Sequence, residues 1–367
     1  MNRGMSGQEQ DGGRLYGEGG YGCIFIPPLK CADNEQSIPK NSQVNTPEKI
    51  DKLMSADDAE IEFAVAKRIH QIPMWETYYL VPNAMCTPAP KSKQTEKDIG
   101  ECSLLSNKDI STFRLLRMDY GGLPLSQYSM NFHKFPFINF AKHLMEGVAL
   151  MTLFGIAHMD LHTGNILVTE QNVPHIIDFN LAVDVRDLTD LENRISHTYK
   201  LNLMQETPDN LLVNAYARRV IDHDMSVPPQ DKLVDEMITD KRILRTMRSV
   251  LGITAEEQRE GLVEFLQHSK SAQTGNMVLW FQAYWHKNDS WACAANLVTL
   301  ISRMSLWNSF AEGEASHHTT KLIGVLKKMS HTNPAKRYDA VQALAELDPE
   351  NLIIRKYAGS WLKNVGR

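Results

Sequence analysis

Asp160 and Asn165, in His158-Met159-Asp160-Leu161-His162-Thr163-Gly164-Asn165, and Asp178, in His175-Ile176-Ile177-Asp178-Phe179-Asn180, have types and spacing that could do chemistry. One carboxylate can take or orient a hydroxyl proton, while an amide and a second carboxylate hold magnesium against nucleotide phosphates. That is the requirement of phosphoryl transfer. Asp-x-x-x-x-Asn alone is more readily a polar turn between strands. The Asp-Phe-Asn that follows, at the end of an apolar strand, argues for the catalytic alternative.

Phosphate chemistry also needs donors and a cation. Gly17-Glu18-Gly19-Gly20-Tyr21-Gly22 satisfies Gly-x-Gly-x-x-Gly, a pattern whose backbone amides can approach phosphate oxygens without Cβ interference. Strand-forming residues lie on both sides of it, and Ile24 follows closely. A strand-turn-strand flap over a nucleotide therefore fits better than a dinucleotide-binding turn. Lys52, in Ile50-Asp51-Lys52-Leu53-Met54, is the candidate phosphate lysine and Glu62 its partner carboxylate. Lys40 and Glu60 compete for these roles, and two solvated surface charges are the plain alternative. Met118, Asp119 and Tyr120 precede Gly121-Gly122, where backbone groups can meet an adenine edge or merely turn between domains.

These residues need elements to hold them. Leu15 to Ile26 reads as two strands around the glycine turn, Cys31 to Pro47 as a polar loop and Lys49 to Met54 as a short strand. Ser55-Ala56-Asp57-Asp58 opens a helix, with Ile61, Val65, Ile69 and Ile72 at helical spacing and Pro73 as its stop. Residues 82–111 read as an exposed connection and Thr112 to Tyr120 as a strand. Phe140, Leu144, Val148 and Met151 share one face of a helix over Phe137 to Phe154. Beyond Asp209 helices predominate, including Asp231–Gly252, Ala255–Ser269, Trp291–Ser305 and Thr319–Met329. The fold class expected is α+β, with a small β-rich half before a larger helical one.

Composition restricts partners more than it defines them. The 367 residues carry a formal net charge of −5, with 43% hydrophobic and 23% charged residues. This balance gives no nucleic-acid or membrane-surface signal. No run of about 18 apolar residues suggests a membrane span, and the polar start lacks a signal-peptide core. The five scattered cysteines include no Cys-x-x-Cys, so reduced thiols and a cytoplasmic location are expected.

In this order, flap, lysine, glutamate, hinge, Asp-x-x-x-x-Asn and Asp-Phe-x, the chain resembles the protein-kinase superfamily over roughly residues 12–345. Thr207-Pro208-Asp209 looks like the Ala-Pro-Glu closing an activation segment, and Asp289 like the buried aspartate beneath a catalytic loop. Arg337 looks like the arginine that pairs with the acid of Ala-Pro-Glu. Gly19 to Phe25 with Pro27-Pro28-Leu29-Lys30-Cys31 is similar, more narrowly, to serine/threonine kinases of large nucleocytoplasmic DNA viruses, which also favours Lys52 over Lys40. If the protein is viral, host cytoplasm or virion is the compartment implied.

The resemblance implies a two-lobed kinase-like fold. It has a tail at 1–11, an N-lobe at 12–120, a C-lobe at 121–367 and a helical insertion at about 210–287. It implies ATP and magnesium as cofactors and a protein substrate, with Asp160 as catalytic base, Asn165 and Asp178 as metal ligands, and Lys52 and Glu62 as the phosphate-gripping pair. Gly17, Gly19, Gly20, Gly22, Ile24, Lys52, Met118, Asp119 and Tyr120 would line the nucleotide.

Four departures qualify it. Met159 replaces the arginine that docks a phosphorylated loop, implying activity without loop phosphorylation. His162 replaces a lysine and is typical of aminoglycoside- and choline-type kinases. Asn180 replaces a glycine; asparagine tolerates left-handed backbone better than other non-glycine residues, so the loop is expected to be stiffer with Asp178 still able to bind metal. The long interval from Asp209 to Asp289 holds the insertion, either a docking module or a solvated elaboration. Serine/threonine protein kinase is therefore the leading expectation, with a small-molecule kinase and a pseudokinase scaffold or virion component as alternatives.

Overall fold

The computed structural model describes residues 14–20, 22–32, 36–37, 49–94, 99–131, 134–189, 191–195, 199–221, 223–305 and 317–364. The N-terminal tail, Lys40 and most of the loop from Cys31 to Pro47 lie outside these. The architecture is α+β, in two compact units: Met1–Gly121 with Ile177–Asn180, and Gly122–Ile176 with Leu181–Arg367.

The first unit is built on an antiparallel sheet of β1 (Arg14–Gly19), β2 (Gly22–Ile26), β3 (Gln36–Ser37), β4 (Lys49–Ser55), β5 (Ala84–Cys86) and β6 (Phe113–Asp119), in the order β1-β2-β4-β6-β5-β3. β4 is flanked on both sides, with Lys52 opposite Ile24 of β2 and Leu116 of β6. That position explains why its polar Asp51 and Lys52 are buried along with Leu53 and Met54. Helix α1 (Ala56–Ile69) follows directly. The Ser55 hydroxyl accepts from the Asp58 amide at its N-terminus, and Lys67 and Arg68 lie in its last turn, satisfying loose amides at one end and the dipole at the other.

The buried face of α1 comprises Ala59, Glu62, Phe63, Val65, Ala66 and Ile69. Ile61, expected on it, is 41% exposed. One residue is 100° of helix rotation, so seating Glu62 inward turns Ile61 outward.

Two further expectations for this unit fail. Residues 82–111 are not an exposed connection: β5 pairs with β6, and Ala89, Ile99, Cys102, Leu105 and Ile110 are buried. Four cysteines are not thiols. Cys23 bonds to Cys102 and Cys31 to Cys86, across sequence separations of 79 and 55. The cytoplasmic expectation loses the support it drew from free thiols; Cys293 alone is free, and it is buried.

The second unit is mostly helical. Its short strands are β7 (Leu123–Pro124), β8 (Ile156–Ala157), β9 (Ile166–Val168), β10 (Pro174–Ile176) and β11 (Val183–Asp184). β9 is the middle of a three-stranded sheet between β10 and β7, and β11 pairs with β8. Gly122 has φ 98°, and a Cβ there would lie 2.3 Å from the Val168 carbonyl oxygen, so only glycine permits this approach to β9.

Among its helices, α2 (Phe137–Phe154) buries Phe140, Leu144, Val148 and Met151 as their spacing predicts, and ends at Gly155 with φ 76°. Further along come α3 (Pro208–Tyr216), α4 (Gln230–Asp240), α5 (Arg242–Leu251), α6 (Ala255–His268) and α7 (Met277–Met304). The expected helix at Trp291–Ser305 is only the second half of α7, which is 28 residues long. None of the helices among the described residues is long and apolar enough to cross a membrane.

Candidate active site

The sequence-derived site residues fall into two groups, one in each compact unit. In the first, Lys52 Nζ donates to Glu62 Oε2 at 2.7 Å and to Asp178 Oδ1 at 2.8 Å. β4 supplies the lysine, α1 the glutamate, and Ile177–Asn180 the aspartate. Lys52 and Glu62 are buried, whereas the Asp178 side chain is 26% exposed. Burial opposes the charge on Lys52, but the two carboxylates outweigh it and hold the ammonium above its ordinary range. Burial also pushes the Glu62 carboxyl up, against the pull of Lys52. With both carboxylates ionised, two negative charges meet one ammonium. The excess charge is of the sign that a divalent cation or a proton relieves.

Gly22 makes this geometry possible. A Cβ there would lie 2.9 Å from the Leu53 carbonyl oxygen and 3.2 Å from Lys52 Cγ. Among the described residues, nothing lies within 4 Å of such an atom at Gly17 or Gly20, and the Gly22 carbonyl oxygen lies 4.0 Å from it at Gly19. Ile24 packs beside Ile50, Met54, Leu116 and Met118. At the end of β6, Met118 belongs to this core, Asp119 pairs with Lys49, and the Tyr120 and Tyr16 rings meet edge to face. The β5–β6 ladder reaches only Arg117, so Met118 to Tyr120 lie beyond the β5 edge.

Asp178 has φ 64°, and Asn180 is not among the positive-φ residues. The left-handed conformation in this turn is thus adopted by the aspartate, so the tolerance of asparagine for it is not called upon at Asn180. Phe179 is buried, its ring 6.0 Å from that of Tyr79 and nearly perpendicular to it, which anchors the turn beside Asp178.

In the second unit, the loop after β8 carries Asp160. Gln205 Nε2 donates to Asp160 Oδ1 at 2.8 Å, Asn165 Nδ2 lies 3.3 Å from Oδ2, and His162 Nε2 lies 3.6 Å from Oδ2. His162 Nδ1 accepts from the Gly164 amide, so Nε2 bears the hydrogen of a neutral ring and faces the carboxylate. Burial raises the Asp160 pKa, but the bonds from His162 and Gln205 outweigh it and the net shift is downward. Asn165 Nδ2 also donates to the Asp160 carbonyl at 2.9 Å. With its amide nitrogen used in this way, Asn165 Oδ1 is the atom left for a hard cation.

The loop is held from below by α7. Asp289 accepts from the amides of His158 at 2.6 Å and Met159 at 3.0 Å, and Asn296 Nδ2 donates to the Leu161 carbonyl. Met159 has φ 66°, a conformation that costs a non-glycine residue on the order of 1–2 kcal/mol. The two charge-assisted bonds to Asp289 offset that cost. Asp209 and Arg337, both fully buried, form an ion pair, and Trp280 Nε1 adds a bond to Asp209 at 2.8 Å.

Glu60 is exposed while Glu62 is buried, which separates those two rivals; Lys40 lies outside the described residues. Sequence reasoning missed Gln205 and Lys241. Gln205 lies immediately before Glu206-Thr207-Pro208, and that adjacency was the available signal; Lys241 offered none. No protein-family model matches the chain, and no curated protein matches it significantly.

Proposed function

We propose that the chain is an ATP- and magnesium-dependent kinase of the protein-kinase type, transferring the γ-phosphate of ATP to serine or threonine hydroxyls of a protein substrate. One observation carries this reading: a buried lysine on a central strand, held between a helix glutamate and the aspartate of Asp-Phe-Asn. A lysine so constrained is a fixed cation for nucleotide phosphates. Lys52 would grip the phosphates beneath the β1–β2 turn. Asp178 and Asn165 Oδ1 would be the magnesium ligands, their hard oxygens matching that cation. The metal, when bound, neutralises charge on the transferred phosphoryl group. Asp160 would orient the acceptor hydroxyl and receive its proton. Its lowered pKa keeps it ionised but makes it a weak base, which suits a loose transition state served mainly by positioning and electrostatics.

A second reading has its own observation. The His162 N–H directed at Asp160 supplies a neutral donor where a protein kinase has a lysine, as in kinases that act on small alcohols. Radiolabelled ATP offered with mixed proteins and, separately, with aminoglycosides and choline distinguishes the two. Transfer to protein, reduced at least ~100-fold by Asp160→Asn and by Asp178→Asn, is expected. Equal transfer by wild type and both variants would refute the assignment, and transfer confined to small alcohols would favour the second reading.

A further inference from the structure

The stretch leading to Thr207 is fastened residue by residue, and much of the fastening comes from the helical insertion. Lys241, at the joint between α4 and α5, is fully buried, and its Nζ donates to the Leu203 carbonyl at 2.7 Å. Trp291 Nε1 donates to the Met204 carbonyl at 3.2 Å. Gln205 is buried and donates to Asp160, and Thr207 caps α3 by accepting from the Asn210 amide. Upstream, the Tyr199 hydroxyl donates to Glu236 Oε2 on α4 at 2.6 Å.

A buried lysine needs a reason. Withdrawing an ammonium from water costs several kcal/mol, and a leucine or methionine could fill the same space without that cost. Burial lowers the Lys241 pKa to about 8, against the pull of Glu206 and Asp209; burial also raises Glu206 to about 7. Within Leu203–Asp209, the ammonium thus ties the Leu203 carbonyl to the insertion, with the Glu206 and Asp209 carboxylates supplying attraction from a greater distance. Gln205 lies inside that stretch and touches Asp160. On either side of Gln205, Trp291 holds the Met204 carbonyl and the α3 cap holds Thr207.

We propose that the helical insertion is a built-in clamp on Leu203–Glu206, and that Lys241 is a positioning residue acting through Gln205 on the Asp160 carboxylate. The proposal rests on the kinase reading for its consequence in catalysis. A purely structural lysine would neutralise Glu206 and Asp209 and leave Asp160 unaffected. A positioning lysine predicts that Lys241 and Gln205 report on the same bond.

The test is amide hydrogen exchange across Leu203–Glu206 in wild type, Gln205→Ala, Lys241→Met and the double variant, with phosphate transfer measured beside it. Lys241→Met should speed exchange in this stretch by about tenfold or more while the core of α7 stays protected. In turnover, Lys241→Met should lower kcat about tenfold while KM for ATP changes less than about twofold, and the double variant should fall no further than Gln205→Ala. Exchange unmoved by Lys241→Met, or a double variant whose loss of kcat is the product of the single losses, overturns the proposal. Should Lys241→Met fail to fold, Lys241→Arg provides the same readout, and unmoved exchange again overturns it. A wild type that transfers no phosphate refutes the kinase reading, while the exchange still decides the clamp.

Discussion

Replacing Arg337 by methionine should strongly destabilise the second unit. The guanidinium and the Asp209 carboxylate are both fully buried and paired with each other. Arg337 Nε also donates to the His331 carbonyl at 2.8 Å and Nη2 to the Thr332 carbonyl at 3.3 Å, and the guanidinium lies 5.0 Å from the centre of the Trp291 ring. Methionine keeps much of the volume and removes every donor. Stripping one partner from a buried pair costs ~3–5 kcal/mol, because the other charge is left uncompensated. A stranded carbonyl adds on the order of 1 kcal/mol. Set against a total stability of ~5–15 kcal/mol, the variant should be marginal. Urea unfolding followed by tryptophan fluorescence measures this, since Trp280 and Trp291 adjoin the pair. Arg337→Met with Asp209→Asn should recover part of the loss, because an asparagine can still accept from Trp280 and no longer carries a buried charge. Arg337→Met within ~1 kcal/mol of wild type, or a double variant less stable than either single, would refute this account of the core.

Three further outcomes are expected. Lys52→Met should lower phosphate transfer at least ~100-fold and, by leaving the buried Glu62 carboxyl without its partner, lower the urea midpoint as well; full transfer by that variant would remove Lys52 from the mechanism. Alkylation of denatured, unreduced protein should label one cysteine, Cys293, and reduction should expose five; two or more labelled without reductant would contradict the pairing of Cys23 with Cys102 and Cys31 with Cys86. Burial, with the nearby charge of His143, lowers the His175 pKa to about 4, below its unfolded value of about 6.5. The unfolded state then binds more protons between these values, so His175 makes stability fall as pH drops from about 6.5 to 4. His175→Gln should flatten the pH dependence of the urea midpoint there, and an unchanged slope would show that the imidazole is not held neutral.

Local chemistry made several parts of this protein legible in its sequence. The apolar period of Phe137–Phe154, the Ser55 cap and the strand carrying Lys52 all depend on residues within a few positions of one another. So does the distinction between Asp160, Asn165 and Asp178 as candidate reacting groups and the residues around them. Register and burial are different in kind. Ile61 and Glu62 are neighbours on one helix, and only the packing of α1 on the sheet turned the carboxylate inward and the isoleucine out. Neither pairing of Cys23 nor pairing of Cys31 can be read from spacing, because each bond joins strands and loops far apart in the chain. Gln205 and Lys241 went unnoticed for the same reason: an amide or ammonium acquires meaning only from the buried oxygen it meets. The sequence by itself determined which groups are candidates for chemistry and which local elements can carry them. The tertiary structure decided that Lys52 lies between Glu62 and Asp178, that Gln205 bonds to Asp160, and that four thiols become two crosslinks, because each requires atoms distant along the chain to come within bonding distance.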